Sequence, residues 1–287
     1  MSLESFTTCN SLSARYSPNV NSVEHSGSVR MSASKRDLRL MLKRLSVTAD
    51  ERTCINRTIV GRLLQDSPHV QLPNFTTISG TDVRCLFDHY DELYFGSWLR
   101  RALGVIPLEF RVSPRMTRAG GKTGFWRKDR NSPIERFEIA ISSTLLAQTF
   151  SDDQADRTIR VTGLVCRTRL DALMRIMEHE LVHLAELLCW DSSSCSQDRF
   201  QSIAWRAFGH TDHRHALITP RESAAAVGIR PGTHVRFDCH GKSMHGFVNR
   251  VTKRATVLVH ADDGQQYSDG NTYRKYYVPV EMLEPVD

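Results

Sequence analysis

The sequence predicts an α+β chain in two folded parts, helices packed on a small sheet and then a small all-β barrel. Three observations predict it. Apolar residues from Leu170 to Leu188 recur closely enough to wrap most of a long helix. Short stretches of alternating apolar and polar residues precede that helix. Beyond residue 228 the chain turns into short strand-like segments separated by His-Gly and Asp-Gly turns.

The 287 residues suffice for one large domain and one small one. At 40% hydrophobic and 24% charged, the composition is that of a soluble globular protein. No apolar run reaches the ~18 residues of a membrane span, which excludes a membrane partner of that kind. Residues 1–34 are rich in Ser and Asn, carry no apolar stretch of the signal-peptide type, and are expected to be disordered. The seven cysteines are scattered, with no Cys-x-x-Cys pair, which points to free thiols in a reducing compartment and to a cytoplasmic location. The net charge of +6 is compatible with a polyanionic partner.

Taken in order, Asp37–Leu45 reads as a short basic amphipathic helix and Glu51–Leu64 as a second; together they read as a supporting pair. Val83, Leu86, Phe87, Tyr90, Leu93 and Tyr94 keep helical spacing, and Gly96 stops that helix. Three strands are expected over 105–112, 123–127 and 137–141, with a Gly120-Gly121 turn between the first two. Residues 96–130 carry nine Lys or Arg against two acids. Within them Arg115, Arg118, Lys122, Arg127, Lys128 and Arg130 are interleaved with Phe125 and Trp126. Cations can neutralise phosphates and aromatic faces can stack on unpaired bases, so Arg115, Arg118, Lys122, Trp126, Arg127 and Lys128 are candidate nucleic-acid contacts. The competing reading is a solvated sheet edge with Trp126 in the core.

The long helix carries His179-Glu180-Leu181-Val182-His183. Four residues are about one turn, so the two imidazoles point the same way and make half of a divalent-metal site. Glu180 sits about 100° round the helix, near enough to act on a zinc-bound water without being a ligand. Burying these three groups without partners costs roughly 1–3 kcal/mol each, which a metal removes. After the helix comes a loop, Asp191–Ser196. Ser196 is the expected N-cap of a helix with Phe200, Ile203, Ala204, Ala207 and Phe208 on one face, closed by Gly209. His210, His213 and His215 follow, either exposed on a loop or near the metal as an extra donor to a developing oxyanion.

These motifs, taken together, resemble the SprT-like/Spartan family of zinc metalloproteases over about residues 82–218. The resemblance rests on Phe87, Tyr90 and Tyr94-Phe95, on Ser113 to Thr117 with Ala119-Gly120, on His179 to His183, and on Phe200 with Phe208 to Thr211. It implies a minimal zincin-like fold, bound Zn2+, and proteolysis of proteins attached to or near DNA. One departure matters. The family supplies its third ligand from a His-Gly-x-x-aromatic segment, and here Ser196 and Gln197 stand in those places. Cys195 is the neighbouring donor, and thiolate binds zinc well. Asp198, His210 and Glu186 are its rivals.

The domain plan is thus a disordered segment (1–34), a helical extension (35–80), a SprT-like metalloprotease domain (81–220) and a barrel (229–287). For the last, strands are expected at 233–240, 244–251, 255–260 and 276–280, with turns at His240-Gly241, Asp262 to Gly264 and Asp269-Gly270. About 57 residues of short strands suggest an SH3-like barrel. The glycine and valine pattern from Gly232 to Val248 looks like KOW or Tudor-type barrels, which bind nucleic acid or proteins. The expected function is a zinc endopeptidase in which His179, His183 and Cys195 hold the metal and Glu180 is the general base, with protein as substrate and DNA as partner. The alternatives are a non-catalytic nucleic-acid-binding protein with a degenerate structural metal site, and a metallohydrolase acting on a small molecule.

Overall fold

The computed structural model describes residues 27–150, 158–214 and 216–286. Helix α1 (Gly27–Arg44) is followed by α2 (Ala49–Asp66), α3 (Gly80–Phe95) and the short α4 (Trp98–Leu103). A three-stranded sheet comes next, β1 (Leu108–Ser113), β2 (Gly121–Trp126) and β3 (Arg136–Ser142), then α5 (Ser143–Thr149). A small hairpin, β4 (Ile159–Val161) and β5 (Leu164–Cys166), leads into α6 (Arg169–Trp190), which carries the two histidines, and α7 (Asp198–Phe208). Helix α8 (Pro220–Ala226) connects to β6 (His234–Cys239), β7 (Lys242–Val251), β8 (Ala255–Gln266), β9 (Thr272–Val278) and β10 (Glu284–Pro285).

The architecture is mixed α+β, with a five-stranded antiparallel sheet near the C-terminus in the order β10-β6-β7-β8-β9. No described helix is long and apolar enough to cross a membrane. The six described cysteines are free thiols.

Several expected boundaries are corrected. Helix α1 begins at Gly27, so residues 27–34 are helical backbone; the rest of the expected disordered segment lies outside the described residues. The expected helix pair packs into the core. Leu38 and Leu42 of α1 and Leu45 just after it, with Ile55, Ile59 and Leu63 of α2, belong to the same buried core as α6. Arg206 of α7 donates to Leu45 O (2.7 Å) and Leu42 O (3.0 Å), satisfying carbonyls at the end of α1 that the helix itself cannot.

The sheet order is β1-β3-β2, with β1 parallel to β3 and β2 antiparallel to it. Gly120-Gly121 therefore does not join neighbouring strands, and Gly121 is already the first residue of β2. Asp262 to Gly264 is not a turn, since β8 runs on to Gln266 through a register shift against Tyr273. A Cβ on Gly264 would lie 2.5–2.7 Å from the Tyr273 backbone, so glycine is needed there for close approach. The turns at His240-Gly241 and Gly270 are present, with positive φ at each residue.

Asp82 pins the connection between α2 and α3. Its buried carboxylate accepts from the Ser67 hydroxyl, from His69 N (2.9 Å), and from Ser79 N (2.7 Å) and Oγ (2.6 Å). Burial pushes its pKa up, but the combined hydrogen bonds outweigh burial and hold it well below the usual carboxylate range. A depressed pKa stabilises the fold above the unfolded value of about 3.9, and that contribution is lost as pH falls toward the folded value. Asp82→Asn is expected to cost about 1–3 kcal/mol at neutral pH and to flatten the acid limb of stability against pH. A urea midpoint equal to the parent's at pH 7 would remove this role.

Candidate metal centre

Helix α6 is placed by its cap and its burial. Thr168 accepts from Asp171 N (3.1 Å) while Asp171 accepts from Thr168 N (3.1 Å), a reciprocal box that fixes the start. The helix ends at Asp191 in a left-handed conformation, φ 53°. That reversal turns the loop 192–197 back toward the histidines. The N-cap of α7 is Gln197, not Ser196, and it makes no side-chain cap bond. Shifting the helix start by one residue leaves Cys195 in the loop, half-buried.

His179 Nε2 and His183 Nε2 face each other at 3.1 Å. Two nitrogens on a tetrahedral zinc, each at about 2.0–2.1 Å, stand roughly 3.3 Å apart, so the pair already has the separation of one coordination edge. Cys195 completes a group of three whose ligand atoms all lie within 4.8 Å of one another. The Phe200 ring packs against both imidazoles, with centroids 4.8 Å from His179 and 4.5 Å from His183. The helix face predicted after the loop thus forms one wall of the site.

The residues fit a divalent cation with soft and borderline donors. Burial lowers the His183 pKa to about 4, against the nearby Glu186 charge, so its imidazole is neutral at pH 7. Burial raises the Cys195 thiol; its backbone hydrogen bond opposes this, while the Glu180 and Glu186 charges reinforce it. The thiolate is therefore favoured only with a cation beside it, and metal binding releases its proton.

The rivals for third ligand are used elsewhere. Asp198 is exposed at the start of α7. His210 is buried, not exposed on a loop, and its Nε2 meets Glu178 Oε2 at 2.8 Å. The same carboxylate takes the Tyr90 hydroxyl at 2.8 Å and pairs with Arg175 at 2.8 Å, a buried network on the other side of α6. His213 is half-buried in the wall of a cavity shared with His179 and Glu180. His215 lies outside the described residues.

Glu186 accepts from the Ser193 hydroxyl (2.6 Å) and from Arg199 Nε (2.5 Å). Ser193 Oγ also meets His183 Nδ1 at 2.7 Å. A hydroxyl has one proton, and Ser193 gives it to Glu186. It must then accept from Nδ1–H of His183, which leaves the Nε2 lone pair directed at His179 and the cation position. Sequence reasoning did not find Ser193 or Arg199, because both act through the folded-back loop. Ser193→Ala is expected to weaken zinc binding 10–100-fold, measured by competition with a chromophoric chelator, while Ser193→Thr retains it. Parent-like affinity in the alanine variant would remove the role.

Glu180 is buried. Thr123 Oγ1 of β2 donates to its Oε2 (2.8 Å) and lies 3.1 Å from its backbone oxygen. Burial raises its pKa to about 7, with the Thr123 hydrogen bonds pulling partly back. Gly121 explains the close approach: a Cβ there would lie 2.6 Å from Glu180 Oε1 and 2.7 Å from Ile176 Cγ2. Two cavities flank the centre. One of about 180 Å³ is bounded by Gly120, Gly121, Ile176, His179, Glu180 and His213. The other, about 420 Å³, runs along Gly121 to Phe125 past both histidines.

The six candidate nucleic-acid residues are dispersed. Arg115 and Arg118 are exposed on the loop between β1 and β2, and Lys122 and Trp126 alternate on the outer face of β2. Trp126 is 39% exposed, not in the core, and Arg136 lies over its ring at 4.6 Å. Lys128 is exposed, and Arg127 is half-buried with its guanidinium 4.5 Å from the Phe125 centroid. The same sheet carries compensating acids: Glu138 binds Arg111 (2.9 Å) and Glu109 pairs with Arg136 (3.4 Å).

No family model matches the chain, and neither the curated proteins nor the solved structures contain a match to it.

Proposed function

We propose that the chain is a zinc-dependent endopeptidase of SprT-like type with a zincin-like domain, and that the C-terminal five-stranded sheet is an SH3-like targeting module. One observation supports this reading: two imidazoles and a thiol converge beside a buried carboxylate, directly under the edge of a β-strand. A zinc ion held by His179, His183 and Cys195 supplies Lewis acidity toward a scissile carbonyl and toward water.

The remaining work falls to the chain. Strand β2 pairs on one side only among the described residues. Ser142 N donates to Gly120 O (2.8 Å), and in an antiparallel ladder that fixes the alternation. Residues 122 and 124 then bond to β3, and the backbone groups of Gly121, Thr123 and Phe125 turn to the open edge. An extended peptide adding there binds through its main chain and needs no particular side-chain sequence. Thr123 holds Oε2 of Glu180, so Oε1 is the oxygen available to take a proton from the attacking water and return it to the leaving amine. In this reading His213, which lines the same cavity as His179 and Glu180, donates to the developing oxyanion. The exposed Arg and Lys residues of 115–128 favour a substrate held near nucleic acid.

The test is cleavage of an unfolded protein by the zinc-loaded chain, its loss on chelation, and its return with zinc. Zinc-loaded protein that binds nucleic acid but cleaves nothing would favour the non-catalytic alternative.

A further inference from the structure

We propose that the cleft between the first part of the chain and the C-terminal sheet binds a phosphodiester strand, through Arg118, Arg221 and Arg250. The cleft holds about 400 Å³. Its cations come from three separate segments: the loop between β1 and β2, helix α8, and β7 just beyond its register shift. Thr117 and Thr252 add hydroxyl groups, and among the described residues no carboxylate lines it. All three arginines are exposed. The nearest acid in sequence, Glu222, is committed to the cap of α8, where Thr219 N and Oγ1 each donate to it at 2.9 Å.

The contrast with other arginines is informative. Arg111, Arg136, Arg199, Arg236 and Arg274 are each paired with a carboxylate. Among the described residues none of these three guanidinium groups is paired with a carboxylate, and gathering them in one cleft costs mutual repulsion, which an anion relieves. A single carboxylate satisfies one fork, whereas three cations sharing one cleft suit a ligand that carries several phosphates, for which the planar guanidinium is well suited.

The location links this strand to the metal centre. Arg118 immediately precedes Ala119, Gly120 and Gly121, which line the 180 Å³ cavity beside His179. Leu217, two residues before the cleft residue Thr219, packs against the Gly120 position, where an added Cβ would lie 3.0 Å from its Cδ1. A strand in the cleft therefore lies one loop away from the candidate catalytic groups. The inference rests on the proposed peptidase reading only for this link; the binding itself does not require it.

The test is fluorescence anisotropy of a labelled single-stranded oligonucleotide with the full zinc-loaded chain across a salt series. The triple variant Arg118→Ala/Arg221→Ala/Arg250→Ala is expected to lose at least tenfold in affinity. Its log–log salt slope should become shallower by about two, at roughly 0.7 per single-strand phosphate contact. The matched triple Arg→Lys variant should keep most of the slope, which separates lost charge from lost folding. Arg236→Ala/Arg274→Ala, which removes guanidinium groups already paired with Glu284 and Asp263, should leave the slope nearly unchanged. A parent-like slope in the triple alanine variant would overturn the proposal. So would displacement of the strand by inorganic phosphate at matched ionic strength, or equal binding of polyglutamate. Protein cleavage is assayed separately without nucleic acid, so failure of the peptidase reading leaves this outcome readable.

Discussion

Glu180→Gln is expected to leave bound zinc at the parent's level and to lower proteolysis by at least 10²–10⁴-fold, the usual contribution of a general base. The substitution is nearly isosteric and keeps an oxygen that can accept from the Thr123 hydroxyl, which meets the carboxylate at 2.8 Å. In the proposed site the donors are His179, His183 and Cys195, so the substitution removes none of them. What disappears is the proton acceptor beside Gly121. The measurement is a cleavage rate with metal content determined on the same sample. Parent-like cleavage by the glutamine variant would refute the proposed mechanism, and loss of zinc would instead mean that the carboxylate belongs to the ligand set.

Cys195→Ser is expected to reduce bound zinc per chain far below the parent's once a competing chelator is present. A hydroxyl is a poor ligand at neutral pH, and two imidazoles alone leave the set one donor short. Cobalt substitution gives a second readout, since the thiolate-to-cobalt charge-transfer band of the parent should be absent from the variant. Undiminished metal would send the third ligand elsewhere. The structure makes Glu186 and His210 poor substitutes, because each is bound to another partner: Glu186 to Ser193 and Arg199, His210 to Glu178.

Much of the centre was legible because it lies on one helix. The spacing of His179 and His183 is a property of helical geometry, and the apolar residues around them announce burial before any tertiary contact is known. Phe200 was legible as part of a helix face for the same reason. Cys195 could be named only as a candidate, since a loop's path is set by what it packs against. Ser193 escaped notice because three serines in a row look like solvated loop, and only the left-handed Asp191 turns one of them onto an imidazole. The Gly120-Gly121 pair was read as a turn, when Gly121 is a strand residue that makes room for Glu180. The three strands of the first sheet and four of the last were located, while β4, β5 and β10 were missed; alternation gives a face and not a neighbour, so the parallel pairing of β1 with β3 was beyond reach. His210 looked exposed because its buried partners, Glu178, Tyr90 and Arg175, come from two distant helices.

The missing side chain at position 121 has a consequence for how the protein can change. With Glu180 Oε1 only 2.6 Å from where a methyl carbon would sit, strand and helix meet at atomic contact. The separation of strand and helix at this point is thus fixed by backbone contact. No rotamer can widen or narrow it. Evolution can alter the rim and approaches of this groove, but the closeness of strand and carboxylate is set once, by a single hydrogen atom.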